Sequence, residues 1–264
     1  MAAIVTGASG FVGSVLLGHL PGAGALSLAG TDWRERIAAA DFGASTVYHL
    51  GGRVHRRTGS AAGAFMEDNA DKTEALARAA AARGAASFVY VSTAKVNGED
   101  SAVRAFRASD PPRPEDAYAR SKWAAEERLA RVAAQTGLPV TVVRPPLVYG
   151  RGAGSNLHAL MRLCDSPWPL PFAALHNRRS FIEVNDLARL LLAAPHARRG
   201  ETVTYMAAHP DPVSTARLAT LMRRSLGRTR RLFALPAGLL EAAATVAGQR
   251  PSSRDACQCR CAPM

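Results

Sequence analysis

The sequence predicts an α/β fold, a doubly wound parallel sheet with helices on both faces. Three observations predict it. Short strand-like runs alternate with helix-like runs, the pattern of a parallel sheet with crossover helices. Gly7, Gly10 and Gly13 sit between the first strand-like run and the first helix-like run. The chain of 264 residues is 48% hydrophobic and 20% charged, which suits one large folded domain with a smaller lobe beside it.

Residues 2–6 are a short apolar strand, and residues 11–20 a helix stopped by Pro21 and Gly22. A strand follows at 25–29, a helix at 32–40, and a strand at 46–50 that runs into Gly51 and Gly52. Residues 68–83 form a long alanine-rich helix, ended by Gly84. Residues 87–92 are the most β-like run in the chain. Residues 118–136 are a second long helix, closed by Gly137, and 140–144 a strand that meets Pro145 and Pro146. Beyond Gly150 the pattern loosens: helices at 156–164, 185–194 and 214–226, a proline-rich loop at 166–172, and a strand at 203–206. This predicts a dinucleotide-binding domain over 1–150 and a substrate lobe over 151–250. No internal repeat is visible.

In a glycine turn of this kind the first glycine allows a sharp bend. The second lets backbone approach a pyrophosphate, and the third lets helix pack on sheet. The helix N-terminus then faces the phosphates. Gly7, Gly10 and Gly13, with Phe11 and Val12 at the helix start, are therefore the candidate cofactor cradle. An acid about 20 residues further on would grip the adenosine ribose of NAD, and Asp32 fits by count. Asp32 reads equally well as a helix N-cap. Arg34 and Arg36 would suit the 2′-phosphate of NADP, so both cofactors stay open.

Tyr118 and Lys122 stand four apart on one helix face, so both can reach one pocket. A free phenol has a pKa of about 10, and a neighbouring ammonium favours its ionised form. The pair points to proton transfer at an alcohol coupled to hydride chemistry.

The net charge of +12 is carried mainly by arginine. No recognition motif accompanies it, so no nucleic-acid partner is expected; the charge suits an anionic cofactor and substrate. No apolar run reaches the ~18 residues of a membrane span. Residues 232–248 are interrupted by Pro236, Gly238 and Glu241 and read as a buried amphipathic helix. No signal peptide precedes the first strand, which implies a cytoplasmic, reducing setting. Cys257, Cys259 and Cys261 alternate near the end without a second ligand pair. Residues 251–264 therefore read as a disordered, atypical tail, and no metal is expected.

Further stretches occur in a fixed order: His49-Leu50-Gly51-Gly52-Arg53-Val54-His55, Val91-Ser92-Thr93-Ala94-Lys95-Val96-Asn97-Gly98, Tyr118-x-x-x-Lys122, Arg144-Pro145-Pro146-Leu147-Val148-Tyr149-Gly150 and Arg179-Ser180-Phe181-Ile182-Glu183-Val184-x-Asp186. With the glycine turn, this set resembles the extended short-chain dehydrogenase/reductase family, in its nucleotide-sugar epimerase/dehydratase group. The chain looks most like UDP-glucose 4-epimerase-like proteins and the UDP-hexulose 4-reductases of bacterial surface-polysaccharide synthesis.

The resemblance implies a Rossmann-like sheet with a small C-terminal substrate lobe that is truncated here. It also implies one missing strand–helix element near the N-terminus, because only the run at 25–29 fits where the family places two strands. It implies NAD, with NADP open, held by Leu50, Gly51, Gly52, Asn69, Tyr118 and Lys122 besides the glycine turn. It makes Thr93, Tyr118 and Lys122 catalytic. Thr93, Tyr118, Asn156, Phe172 and Arg179 would contact a nucleotide sugar, expected to be a UDP-hexose. A homodimer is left open. Plainer readings stand beside these: Asn69 as a helix-start cap, Phe172 as loop packing, Gly51-Gly52 as a strand-end turn, and His55 as a structural histidine. Lys72 replaces a family glycine. The family's dehydratases carry Asp-Glu where this chain has Ala94-Lys95, which argues against dehydration. Epimerase, 4-reductase and cofactor-binding protein with impaired catalysis are the readings left.

Overall fold

The computed structural model describes residues 2–54, 62–101, 104–153, 156–194 and 197–236. His55, the cysteine-bearing tail at 251–264 and most of the expected helix at 232–248 lie outside the described residues. The chain enters the sheet at once with Ala3–Thr6 (β1), turns through the three glycines, and forms the helix Phe11–Gly18 (α1). Gly24–Leu26 (β2), Trp33–Ala39 (α2) and Thr46–His49 (β3) follow. Next come Ala62–Met66 (α3), the π-helical turn Glu67–Asp71, Lys72–Ala82 (α4) and Ser87–Val91 (β4). A 3-10 turn at Ala94–Val96 leads on to Ala117–Thr136 (α5) and Val140–Arg144 (β5). The remaining elements are Leu147–Tyr149 (β6), Asn156–Asp165 (α6), Phe181–Glu183 (β7), Val184–Ala193 (α7), Thr202–Met206 (β8) and Thr215–Ser225 (α8).

Six strands form one parallel sheet in the order β2-β1-β3-β4-β5-β8, so the Rossmann-like α/β class expected from the sequence is the fold observed. Alternation along each strand builds two cores. Val47, Phe88 and Val142 join Trp33, Leu76 and Leu129 on one face. Their chain neighbours Tyr48, Val89 and Val143 join Leu16, Leu187 and Leu191 on the other. Successive side chains of a strand point to opposite faces, and helices cover both, so the middle residues of β3, β4 and β5 are mostly apolar.

One strand lies between α1 and β3, as expected, and it is an edge strand of three residues. It is shorter than the run at 25–29. Arg36 donates to the Ser27 and Ala29 carbonyls, satisfying the chain just past β2 without a sheet partner. The sheet takes its last strand, β8, and a cover helix, α7, from beyond Gly150.

Two features differ from expectation. The helix expected at 68–83 starts earlier, at Ala62, and passes through the π turn before α4. Asn69 therefore lies inside a helical run and does not cap one. Strands β6 and β7, three residues each, pair in parallel as a separate small sheet that the sequence reading missed. The smaller lobe adds α6 and α8 around Cys164, Leu170, Ala219 and Met222. No helix among the described residues is long and apolar enough to cross a membrane.

Candidate active site

The carboxyl ends of β1, β3 and β4 lie side by side, and part of the sequence-predicted set meets there. Gly7 has φ +69°, a left-handed backbone suited to glycine. A Cβ on Gly7 would lie 2.6 Å from the Gly51 nitrogen, and one on Gly13 would lie 2.1 Å from the Gly7 oxygen. Strand, turn, helix and the loop after β3 are thus in backbone contact. Among the described residues no side chain caps the N-terminus of α1 at Gly10, where the helix begins at Phe11 and Val12. A helix N-terminus of this kind can receive an anionic group. Leu50 packs with the core on the α1 face.

Asn69 carries the band onward. Its Oδ1 accepts from the Arg53 N–H at 2.7 Å, and its Nδ2 donates to the Arg53 carbonyl at 3.0 Å and to Ser121 Oγ at 2.9 Å. It therefore ties the loop after β3 to α5, one residue before Lys122. A Cβ on Gly52 would meet Asn69 Oδ1 at 2.6 Å and lie 3.9 Å from Lys122 Nζ. The π turn that orients Asn69 is a helix irregularity often found at functional sites.

Lys122 is buried, donates to the Val91 carbonyl at 2.7 Å and lies 4.3 Å from the centre of the Tyr90 ring. Burial pushes its ammonium down to about 7, against a pull upward from Glu126. Thr93 follows β4 and accepts from the Lys95 N–H at 3.3 Å. Tyr118, in the first turn of α5, packs against Phe65, and the Thr93 side chain favours its ionised form. Burial pushes its phenol up to about 12, and the Asp116 carboxylate adds to the rise. Lys95 and the Thr93 side chain pull the other way. The cation acting on Tyr118 in this arrangement is therefore Lys95, where the sequence reading had assigned Lys122.

The site contains further groups that the sequence reading missed. Asp116 caps α5 through the Ala119 N–H at 2.6 Å and also accepts from Lys95 Nζ at 2.8 Å. His49 is buried with Nδ1 2.5 Å from Thr6 Oγ1 and Nε2 2.8 Å from Thr73 Oγ1. Burial and the charge of Lys122 hold it down at about 3, so it stays neutral. The Asp116 cap is local, but spacing offered no signal for the Lys95 and His49 contacts, which join residues 21 to 43 positions apart.

Other predicted residues lie outside this band. Asp32 precedes α2, makes no capping bond, and pairs with Arg36 at 2.5 Å. The capping alternative is thereby set aside. Lys72, where the family has glycine, donates to the Leu28 carbonyl at 3.1 Å and pairs with Asp68 at 2.6 Å. It thus ties α4 to the chain after β2. Phe172 packs against the core of the smaller lobe. Arg179 forms an antiparallel bridge with Val213, two residues before β7. Asn156 is the first residue of α6.

A family model described as "NAD dependent epimerase/dehydratase family" matches residues 3–206. UDP-glucose 4-epimerase of Vibrio cholerae is 34% identical over 156 residues, covering 58% of this chain and 48% of that protein. The chain thus spans about half the length of this curated relative. Among solved structures, UDP-glucuronic acid 4-epimerase from Bacillus cereus in complex with NAD superposes with TM-score 0.70 at 20% identity, covering 89% of this chain and 88% of that one. A dTDP-4-dehydrorhamnose reductase from Bacillus anthracis str. Ames in complex with NADP gives TM-score 0.72 at 17% identity, covering 89% and 84%. At these identities the two structures show a shared fold.

Proposed function

This chain belongs to the NAD-dependent epimerase/dehydratase family, and from that premise we propose a nucleotide-sugar enzyme acting at the sugar 4-hydroxyl, with NAD as cofactor and a UDP-hexose as substrate. The observation that carries this reading is the unbroken band from the glycine cradle, through Gly51, Gly52, Asn69 and Lys122, to Thr93 and Tyr118. The cradle fits a dinucleotide, because an added Cβ at Gly7, Gly13 or Gly52 would collide with backbone or with Asn69.

Gly7, Gly10, Phe11, Val12 and Gly13 would hold the pyrophosphate, Gly51 and Gly52 would give it room, and Lys122 would hold the nicotinamide ribose. Asp32 would face the adenosine ribose, at the cost of its pairing with Arg36. When bound, NAD supplies the nicotinamide that takes up and returns hydride. Tyr118 accepts the hydroxyl proton as the sugar carbon is oxidised and returns it as that carbon is reduced. Thr93 orients the sugar oxygen between them. Arg179, Phe172 and Asn156 would bind the diphosphate and base, arginine through its paired donors. Ala94 and Lys95 stand where a dehydratase would need acids, which favours epimerisation without loss of water.

Mass spectrometry of nucleotide co-purified with the protein, together with a UDP-hexose assay, tests this reading. Retained NAD and formation of the 4-epimer with no net reduction are expected. Consumption of added NADH or NADPH with a UDP-4-keto-hexose would instead mark a 4-reductase. Tyr118→Phe should lower turnover by about 10²–10⁴-fold; unchanged turnover would remove Tyr118 from the chemistry.

A further inference from the structure

Lys95 stands at the junction of the two segments that carry the reacting groups. Its N–H binds the Thr93 hydroxyl at 3.3 Å, and its ammonium binds Asp116 at 2.8 Å and Glu99 at 2.7 Å. Asp116 in turn caps α5 at Ala119, immediately beyond Tyr118. Thr93 and Tyr118 come from chain segments 25 positions apart, and Lys95 is bonded to both ends of that junction.

Among the described residues, other charged groups of this region already have partners. Glu126 is paired with Arg144, Asp68 with Lys72 and Arg53, and Asp71 with Arg128. Lys122 is engaged with the Val91 carbonyl, and Tyr90 and Phe65 bring no charge to the phenol at neutral pH. Asp116 is the carboxylate that opposes ionisation of Tyr118, and Lys95 is the cation that faces both. A carboxylate two residues from a phenol that must ionise is a handicap unless it is neutralised.

We propose that Lys95 is a positioning residue: its ion pair with Asp116 neutralises the cap of α5 and holds the Tyr118 phenol against Thr93 in a form able to ionise. This rests on Tyr118 being the proton acceptor. A purely structural clamp would change stability without changing the acidity of Tyr118.

Two measurements separate these outcomes. The first is an absorbance titration of phenolate in the free protein, with Tyr118→Phe as the subtracted blank. Asp116→Asn keeps the cap but removes the opposing charge, so Tyr118 should ionise at lower pH than in the wild type. Adding Lys95→Met to Asp116→Asn should move that ionisation back up by about one pH unit. This readout does not depend on any substrate. The second is the pH profile of kcat/KM with a UDP-hexose. Lys95→Met should displace its acid limb upward by about one pH unit, and Lys95→Arg should restore it. If Lys95→Met folds and neither the titration nor the acid limb moves, the proposal is overturned. If the titration moves while no UDP-hexose is turned over, the role of Lys95 stands and the substrate reading falls. Should Lys95→Met alone fail to fold, Lys95→Gln removes the same charge, and a phenol titration of Asp116→Asn/Lys95→Gln identical to that of Asp116→Asn would overturn it.

Discussion

Arg144 on β5 and Glu126 on α5 form a buried, two-pronged ion pair, with Nη2 to Oε2 at 2.5 Å and Nε to Oε1 at 3.0 Å. Glu126 Oε1 also accepts from Ser92 Oγ at 2.5 Å, and Arg144 Nη1 donates to Asn97 Oδ1 at 3.0 Å. The pair fastens the helix that carries Tyr118 to the end of β5, and the Ser92 bond ties it to the residue before Thr93. Removing one partner would leave a buried charge without compensation. Glu126→Ala should therefore cost ~3–5 kcal/mol in urea unfolding, while Glu126→Leu with Arg144→Met should recover most of it. A loss under ~1 kcal/mol for the single variant would mean that the charge reaches water.

The glycine cradle gives a second prediction with its own control. Gly13→Ala drives a methyl into the Gly7 carbonyl, so it should destabilise by about 1–3 kcal/mol and abolish NAD binding in calorimetry. Gly18, at the end of the same helix, has nothing within 4 Å of an added Cβ. Gly18→Ala should bind NAD as the wild type does and be no less stable. Equal NAD affinity for both variants would count against the cradle.

His49 sets a dependence of stability on pH. Burial lowers its pKa from 6.5 to about 3, so the fold holds it neutral while the unfolded chain takes up a proton below 6.5. Its contribution is full above pH 6.5 and is lost as pH falls toward 3, at up to about 1.4 kcal/mol per pH unit. His49→Gln keeps an amide between Thr6 and Thr73 but cannot titrate. The stability gap between wild type and variant should shrink from pH 7 to pH 4; a constant gap would show that the ring is protonated in the fold.

Asp32 bears on cofactor choice. If its carboxylate meets the adenosine ribose, Asp32→Asn should weaken NAD and narrow any preference over NADP by ~10-fold, about 1.4 kcal/mol. Calorimetric Kd values for both cofactors measure the ratio. An unchanged ratio would leave Asp32 as the partner of Arg36 alone.

The sheet was legible because β3, β4 and β5 are largely buried on both faces and so are rich in apolar residues, and because glycines mark the turn that matters. Thr93, Tyr118 and Lys122 were legible from their place in an ordered set of motifs, and the structure sets them along one band. Strands β6 and β7 were not legible, since three residues such as Phe181, Ile182 and Glu183 carry no period. The π turn was hidden because Glu67–Asp71 is composed of residues equally at home in an ordinary helix turn. The partnership of Lys95 with Asp116 is a contact through space, and the sequence offered only the observation that Lys95 is not an acid.

The parallel order of the sheet also has a consequence in time. The outer edge of β5, every residue of it buried, is completed only by β8, after β6, α6, β7 and α7 have intervened. During synthesis that edge must wait, unpaired, for chain not yet made. Unpaired edges of this kind invite association between chains. The yield of correctly assembled protein should therefore depend on how promptly residues 202–206 emerge and seal β5, and a chain stopped short of them should collect in the insoluble fraction.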